Sequence, residues 1–248
     1  MPSFAQDFLT AQEGDVRFVF SAKTKCFMRM HFGGARMKQY RCTGLMPHCA
    51  TYFWPSFDIR AIRHKVGGAG AINVATDAIS VGKFVDEELN MVARYQNYEP
   101  THPYTKRVLE ALEKCHCDVM STQKAIGMTS FKLATAIDVV AYDREDQCLR
   151  FFEIKTGAEN IRDLHVGNML GLFSAFPSSI RMHYMVQLGM QYAILRSRYG
   201  GNIHLEQFCI VWADMYSTQL MPLDARIAGL CWRHVENLSS ITDSCGSD

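Results

Sequence analysis

Apolar residues recur at helical spacing in four parts of the chain, all of them after residue 77. In residues 78–98 they fall every three or four positions, which predicts an amphipathic helix. A second helix is predicted over residues 104–114, because Pro103 stands where proline fits the first helical turn. Two later helices are predicted over residues 180–198 and 223–238.

Runs of apolar and β-branched residues, typical of strands, lie between these helices. Three of them follow one another along the chain, over residues 118–126, 131–142 and 149–156. The polar residues 143–147 predict a hairpin turn between the last two. A fourth strand is predicted over residues 204–214, after an irregular segment (157–178) that contains a short helix. This order predicts an α/β fold with a central mixed sheet flanked by helices.

The first 77 residues show no clear period and carry a large excess of positive charge. Residues 16–65 contain ten Lys and Arg against one acidic residue, although the whole chain has a formal net charge of +1. Such a segment can contact a polyanion, or it can be an ordinary solvated surface. We therefore predict a basic and aromatic N-terminal region (1–77), which is a candidate substrate-binding lobe, a core (78–240) and a frayed tail (241–248).

The composition of the 248-residue chain is that of an ordinary globular protein, with 48% hydrophobic and 21% charged residues. No membrane association is expected, because no stretch reaches the roughly 18 uninterrupted apolar residues of a membrane helix. Nine cysteines at irregular spacings indicate reduced thiols in an intracellular compartment, the cytoplasm or nucleus, with the mitochondrion left open. They lack the clustered trio of an iron–sulfur site. The segment 115–117 (Cys-His-Cys) fits a helix end better than a zinc site.

The sharpest chemical feature is a set of charged residues in two of the predicted strands. Asp138 is the lone charge inside the apolar run 136–142, and Glu153 and Lys155 share one face of the next strand. Charges in such strands cost free energy unless they are paired or bind a metal ion. Two carboxylates with a neighbouring lysine predict a site for a hard divalent cation such as Mg²⁺. A surface hairpin with a salt bridge is the alternative.

Asp138, followed by Glu153-Ile154-Lys155, resembles the D…E-x-K signature of the PD-(D/E)XK nuclease superfamily. The resemblance implies a restriction-endonuclease-like core in the order αβββαβ, with an N-terminal basic extension. It also implies one or two Mg²⁺ or Mn²⁺ ions held by Asp138, Glu153 and the backbone carbonyl of Ile154. Lys155 is then the residue that orients the attacking water.

The helix before the sheet carries a second motif, which resembles the RecB-like and lambda-exonuclease-like branch. Gly82 is followed four residues later by Asp86, where these nucleases carry His or Glu. The resemblance implies Asp86 as a further metal ligand, and Glu87 or Glu88 is the substitute if the helix is slightly shifted. A solvated acidic patch is the alternative.

A third motif lies on the helix after the E-x-K strand. Tyr184 and Gln187 match the Tyr-x-x-Gln of lambda-type members, which implies that Gln187 is a catalytic residue that positions the substrate. The Gln-x-x-x-Tyr of RecB-type members is matched in part, since Gln191 stands in the place of the Tyr and Tyr192 comes one residue later. An ordinary amphipathic helix is the alternative.

Together these motifs imply a metal-dependent deoxyribonuclease, an exonuclease or end-processing enzyme of DNA replication, recombination or repair. Its partner is single- or double-stranded DNA, with RNA and oligomerisation left open. The nucleic-acid contacts we expect are basic residues of the N-terminal region and of the later irregular part of the chain: Arg29, Arg36, Lys38, Arg41, Arg63, Lys65, Arg162 and Arg181.

Three other functions are alternatives to the nuclease. The first is a catalytically inert nucleic-acid-binding protein that retains the fold. The second is a scaffold protein in which Lys155 bonds Glu153 directly as a structural ion pair. The third is an unrelated metal-dependent hydrolase, against which the scarcity of His near the carboxylates counts.

Overall fold

The computed structural model of the protein describes residues 3–10, 16–21, 26–31, 38–55, 71–95, 97–128, 131–157, 162–214 and 216–244. The helices are α1 (Ser3–Thr10), α2 (Leu45–Tyr52), α3 (Ala71–Arg94), α4 (Pro103–Lys114), α5 (Ile180–Tyr199) and α6 (Ala225–Ser244). The strands are β1 (Val16–Ser21), β2 (Cys26–His31), β3 (Lys38–Arg41), β4 (Thr43–Gly44), β5 (Cys117–Met128), β6 (Leu133–Asp143), β7 (Cys148–Thr156), β8 (His165–Asn168), β9 (Pro177–Ser179), β10 (Phe208–Ala213) and β11 (Thr218–Pro222).

The central sheet mixes parallel and antiparallel pairs of strands. Among the described residues its order is β11-β10-β7-β6-β4, and β5 also pairs with β6. The three long strands β5, β6 and β7 are antiparallel neighbours, whereas β10 runs parallel to β7 and β4 parallel to β6. The predicted α/β architecture with a mixed sheet flanked by helices is confirmed.

Helices cover both faces of this sheet, which explains why adjacent residues in the middle of β7 are both apolar. Phe151 belongs to the core under α5 and α6, together with Leu188 and Ile227. The next residue, Phe152, belongs to the core under α3 and α4, with Leu89. Successive side chains point to opposite faces, so a strand that is buried on both faces has apolar residues at successive positions.

The described helices of the N-terminal region pack into the same core. Phe8 of α1 lies edge-on to Phe151 of β7, with ring centroids 5.5 Å apart. Leu45 and Cys49 of α2 are fully buried in the core under α5 and α6. These contacts join residues before position 77 to the strand that carries Glu153.

The strands β1, β2 and β3 form a small antiparallel sheet of their own. Phe18 of β1 packs closely on Gly127 of β5, where a Cβ atom would lie 2.6 Å from the phenylalanine ring. Phe18 also clusters with Cys42 and Ala134. Gly127 therefore allows the small sheet to approach the central one.

Several element boundaries differ from the sequence predictions. The helix predicted over 78–98 begins at Ala71 and ends at Arg94. After it, the Tyr98 N–H donates to the Tyr95 carbonyl at 3.0 Å and closes a tighter turn. The strand predicted over 204–214 is shorter, since residues 205–207 form a 3-10 turn closed by the His204 N–H, which donates to Gln207 Oε1 at 2.6 Å.

Other segments were not predicted in their observed form. Residues 157–178 were expected to contain a short helix. Those that the structure describes, 157 and 162–178, hold β8, most of β9 and only a three-residue 3-10 turn, Gly171–Phe173. The edge strand β11 was not predicted at all. The last helix continues to Ser244, so it includes residues 241–244 of the predicted tail, and residues 245–248 lie outside the described part. None of the described helices combines the length and apolar character needed to cross a membrane.

Candidate active site

The predicted charged residues lie where the ladder between β6 and β7 ends. The last pair of this ladder is Val139 with Phe152. Beyond it, the Asp138 side chain replaces a strand partner, because its Oδ2 accepts the Ile154 N–H at 2.9 Å. The N–H and C=O of one strand residue point to the same edge. The Ile154 carbonyl therefore also faces Asp138, as a shared metal site would require.

Glu153 is a buried carboxylate with only 1% of its surface exposed. Two glutamines of α5 hold it: Gln187 Nε2 donates to Oε1 at 2.5 Å, and Gln191 Nε2 donates to Oε2 at 2.9 Å. Burial raises the pKa of Glu153 to about 7, and the negative charge of Asp138 adds to this, whereas Lys155 opposes it. A proton on this carboxylate is therefore close to balance at neutral pH.

Lys155 lies between the two carboxylates. Its Nζ donates to Glu153 Oε1 and lies 3.6 Å from Asp138 Oδ2. The same Nζ is 4.5 Å from the centroid of the Tyr184 ring on α5, a cation–π contact. Burial of the ammonium lowers its pKa, but the charges of Glu153 and Asp138 outweigh burial and raise the pKa above its usual range. Lys155 is therefore protonated throughout the physiological range.

Asp86 of α3 is electrostatically coupled to this group. Burial raises the pKa of Asp86 to about 6, and the charge of Asp138 raises it further, while Lys155 lowers it. When all are ionised, the carboxylates of Asp86, Asp138 and Glu153 exceed the single ammonium of Lys155 by two negative charges. Burial and repulsion from Asp138 therefore raise the pKa of both Asp86 and Glu153.

The donor set suits a hard divalent cation, since it consists of carboxylate oxygens and a backbone carbonyl. Within the described residues, however, no three His, Cys, Asp or Glu side chains lie close enough to form a complete ligand group. A carboxylate offers about four lone-pair positions, and those of Glu153 already accept three hydrogen bonds. The groups that suit a cation are therefore the Asp138 carboxylate and the Ile154 carbonyl, together with the negative charge that Lys155 does not neutralise. Glu153 would be the most shielded ligand.

Three residues that the motifs offered as substitutes lie elsewhere. Glu88 is buried but accepts hydrogen bonds from the backbone N–H groups of Thr101 and His102 at 2.7 and 3.1 Å, so it closes the turn before α4. Glu87 is exposed. Tyr192 packs edge-on against Phe208, with ring centroids 5.4 Å apart.

Two residues of the site were missed by sequence reasoning. Gln191, fully buried, bridges Glu153 Oε2 and the Ala136 carbonyl, to which its Nε2 donates at 3.1 Å. Gln123 Nε2 of β5 donates to Asp138 Oδ1 at 3.2 Å. Gln191 could have been found from its spacing, because it lies one helical turn after Gln187 and so shares its face.

Two of the predicted nucleic-acid contacts meet at one acidic side chain. Asp163 accepts from Arg181 at 3.0 Å and from Arg162 at 3.2 Å. The Arg162 guanidinium is also 6.0 Å from the ring of Trp212, which contacts Tyr184 at a centroid distance of 5.7 Å. A chain of aromatic contacts therefore leads from this arginine pair to Lys155.

The basic residues of the N-terminal region are only partly described. Arg29 stacks on the Tyr40 ring at 4.6 Å, and Arg41 is exposed on β3. The backbone of Lys38 lies at the start of β3. The remaining three, Arg36, Arg63 and Lys65, lie outside the described residues.

The Cys-His-Cys segment at 115–117 forms the turn between α4 and β5. His116 has a φ of 54° and pairs with Glu145 at 3.3 Å. Burial raises the pKa of Cys117 to about 12, so its thiol stays protonated. This turn fits the helix-end interpretation, and among the described residues no metal-binding group includes it.

Comparison with known proteins adds no relative. No protein-family model matches the chain, and no curated protein matches it. The interpretation of the site therefore depends on its residues and their geometry.

The raised pKa of Glu153 predicts an unusual pH dependence for the metal-free protein. The folded state holds this proton up to about pH 7, whereas the unfolded chain releases it near pH 4.5. The contribution of Glu153 to stability therefore falls as pH rises between these values. The unfolding free energy of Glu153→Gln minus that of wild type should therefore be roughly 2–3 kcal/mol larger at pH 8 than at pH 5. Urea denaturation in EDTA at both pH values measures this difference.

Glu113→Gln is the matched control for this experiment, because Glu113 is an exposed carboxylate on α4 that pairs with Arg144. Its difference from wild type should stay constant over the same pH range. If the difference in unfolding free energy between Glu153→Gln and wild type is also independent of pH, Glu153 is not partly protonated at neutral pH and its assignment to the charged site is wrong.

Proposed function

We propose that the protein is a metal-dependent nuclease with a PD-(D/E)XK-type core, which hydrolyses phosphodiester bonds of DNA. The observation that carries the proposal is the convergence of Asp138, Glu153 and Lys155 where the β6–β7 ladder ends, with Asp86 coupled to them. An isolated structural ion pair needs one carboxylate for one lysine. When all three carboxylates are ionised, their excess of two negative charges over Lys155 is what a divalent cation neutralises.

Asp138, Glu153, the Ile154 carbonyl and Asp86 would hold one or two ions of Mg²⁺ or Mn²⁺. Such an ion, when bound, lowers the pKa of a water ligand and neutralises charge on the scissile phosphate. Lys155 carries a fixed positive charge that orients the attacking water and stabilises the negative charge of the transition state.

The glutamines of α5 position the buried carboxylate. Gln187 and Gln191 hold both oxygens of Glu153, so that its orientation does not change when the site is occupied. The motif implied that Gln187 positions the substrate. Its hydrogen bond to Glu153 gives it a second role, which is to hold that carboxylate.

The substrate we propose is DNA. Arg162 and Arg181 would contact the DNA phosphates, and Asp163 holds the two arginines side by side. The aromatic contacts described above connect this pair to Lys155. The resemblance to RecB-like and lambda-type nucleases favours an exonuclease or end-processing enzyme in replication, recombination or repair over a sequence-specific endonuclease.

The test is cleavage of end-labelled single- and double-stranded DNA with Mg²⁺, Mn²⁺ or EDTA. Wild type should cleave only with a divalent ion, and Asp138→Asn should lose cleavage, because it removes a charged metal ligand while keeping an acceptor for the Ile154 N–H. Asp146→Asn, in the exposed β6–β7 turn, is the control and should cleave like wild type. A folded protein that cleaves neither DNA nor RNA would refute the proposal.

A second candidate function, a scaffold or inert nucleic-acid-binding protein that keeps the fold, is favoured by one specific observation. Lys155 bonds Glu153 directly, which is the arrangement expected of a structural ion pair. The two candidates differ in their response to metal. A nuclease should show an Mn²⁺-dependent rise in Tm that Asp138→Asn removes, whereas a scaffold should show none.

A further inference from the structure

One residue of the central sheet has a backbone conformation that its residue type disfavours. Gln123 of β5 has a φ of 49°, in the left-handed region that glycine and asparagine accept most readily. For other residues the Cβ atom makes this conformation costly. Within the described strands, no other non-glycine residue has a positive φ, since His116, Lys132 and Gln147 lie in turns.

The pairing of β5 with β6 does not account for this conformation. The register of the ladder is the same on both sides of Gln123, which lies opposite Asp138. The register shift of this ladder falls between Val119 and Ser121 instead. The positive φ is therefore a local feature of Gln123 and not the mark of a bulge at this position.

The side chain of Gln123 ends on the Asp138 carboxylate. Its Nε2 donates to Asp138 Oδ1 at 3.2 Å, while the Ile154 N–H donates to Oδ2 at 2.9 Å. Asp138 is thus held from both neighbouring strands, β5 on one side and β7 on the other. Disfavoured backbone conformations persist only where the surroundings hold them, and they cluster at functional sites.

This arrangement leaves Asp138 able to bind a cation in a fixed orientation. A carboxylate offers about four lone-pair positions, and the two hydrogen bonds use one on each oxygen. Glu153, in contrast, already accepts three hydrogen bonds. The orientation of Asp138 therefore determines where an ion lies, and Gln123 is one of the two groups that fix it.

We infer that Gln123 is a positioning residue of the candidate site, whose backbone directs its carboxamide to Asp138 and so fixes that metal ligand. The inference rests on the proposed function, because it assigns Gln123 a role in the same site. A purely structural role does not account for it. The hydrogen bond lies at the surface and adds little to stability, whereas the backbone conformation that supports it is unfavourable.

Two substitutions in the full-length protein separate the hydrogen bond from the backbone conformation. Gln123→Asn relieves the backbone, since Asn tolerates a positive φ, but its amide is one methylene too short to reach Asp138. Gln123→Met keeps the side-chain length and the unfavourable backbone, and it has no N–H donor. In EDTA, Gln123→Asn should therefore have the higher Tm of the two variants.

Both variants should nevertheless lose function alike. Removing a group that holds a metal ligand typically lowers metal affinity or activity by about 10–100-fold. We expect the Kd for Mn²⁺, measured by calorimetry without DNA, to rise by about tenfold in each variant. The kcat for DNA cleavage at saturating Mn²⁺ should fall by a similar factor, whereas the KM for DNA should stay within about twofold of wild type, because Gln123 acts through Asp138.

Gln147→Asn and Gln147→Met are the matched controls, because Gln147 is an exposed glutamine with a φ of 51° in the β6–β7 turn. They should show the same order of Tm but bind Mn²⁺ and cleave DNA like wild type. The inference alone is overturned if wild type binds Mn²⁺ and cleaves DNA and either Gln123 variant matches it, or if the Gln147 variants lose as much. If wild type binds no Mn²⁺, the proposed function and this inference are both wrong.

Discussion

Replacing Lys155 with alanine should lower metal-dependent DNA cleavage by roughly 10²–10³-fold, the usual effect of removing one group that stabilises transition-state charge. The physical reason is the position of its ammonium between Glu153 and Asp138, where it carries a fixed positive charge. Metal binding should not be lost with it. Mn²⁺ should bind as well or more tightly, because the variant has one more uncompensated negative charge at the site. Initial cleavage rates and Mn²⁺ titrations, measured on the same preparations, separate the two effects.

Lys83→Ala is the matched control, since Lys83 is an exposed lysine on α3. It should leave the cleavage rate within about twofold of wild type, in keeping with the small effects of surface changes. The lysine assignment is wrong if Lys155→Ala cleaves at the wild-type rate. A cleavage loss with equally weakened Mn²⁺ binding would instead indicate that Lys155 only maintains the fold of the site.

Phe151→Ala should lower the unfolding free energy by about 3–5 kcal/mol, the typical cost of truncating a buried aromatic residue. Phe151 has no exposed surface and contacts two aromatic rings on different elements. Phe8 of α1 meets it edge-on, and Phe208 of β10 stacks on it at 4.8 Å. Its removal leaves a cavity that α1, α5 and the sheet must share. Urea denaturation at neutral pH measures the loss.

Tyr216→Ala is the control for this prediction, because Tyr216 is an aromatic residue with 87% of its surface exposed. Its effect should stay within about 0.5 kcal/mol. If Phe151→Ala costs less than about 1 kcal/mol, then α1 does not pack on β7 in solution and the core contains fewer elements than the structure shows.

The elements that carry the candidate site were predictable because their local patterns are strong. Asp138, Glu153 and Lys155 stand out as charges among apolar neighbours in β6 and β7, and the polar turn between the two strands fixes the hairpin. α4 has a clear polar and apolar face and a proline in its first turn. In these segments local propensity and burial agree, so the sequence alone locates the residues that the structure brings together.

The rest depends on contacts between residues that are distant in sequence. α5 is buried on most sides, so no polar face marks its orientation, and the spacing of Gln191 from Gln187 does not by itself identify Glu153 as their partner. β4 has only two residues and exists because it pairs with Leu133 and Ala134. β11 is an edge strand whose only buried residue is Met221, too little for a period to be recognised.

The packing of α1, α2 and α6 into one core has a consequence for how the protein folds as it is made. Leu45 and Phe53 near the start of the chain share a core with Ile227 and Val235 near its end. During synthesis, the early residues leave the ribosome long before their C-terminal partners. The core is therefore completed only after the last helix emerges, and until then its N-terminal apolar surface is exposed to chaperones and to other nascent chains.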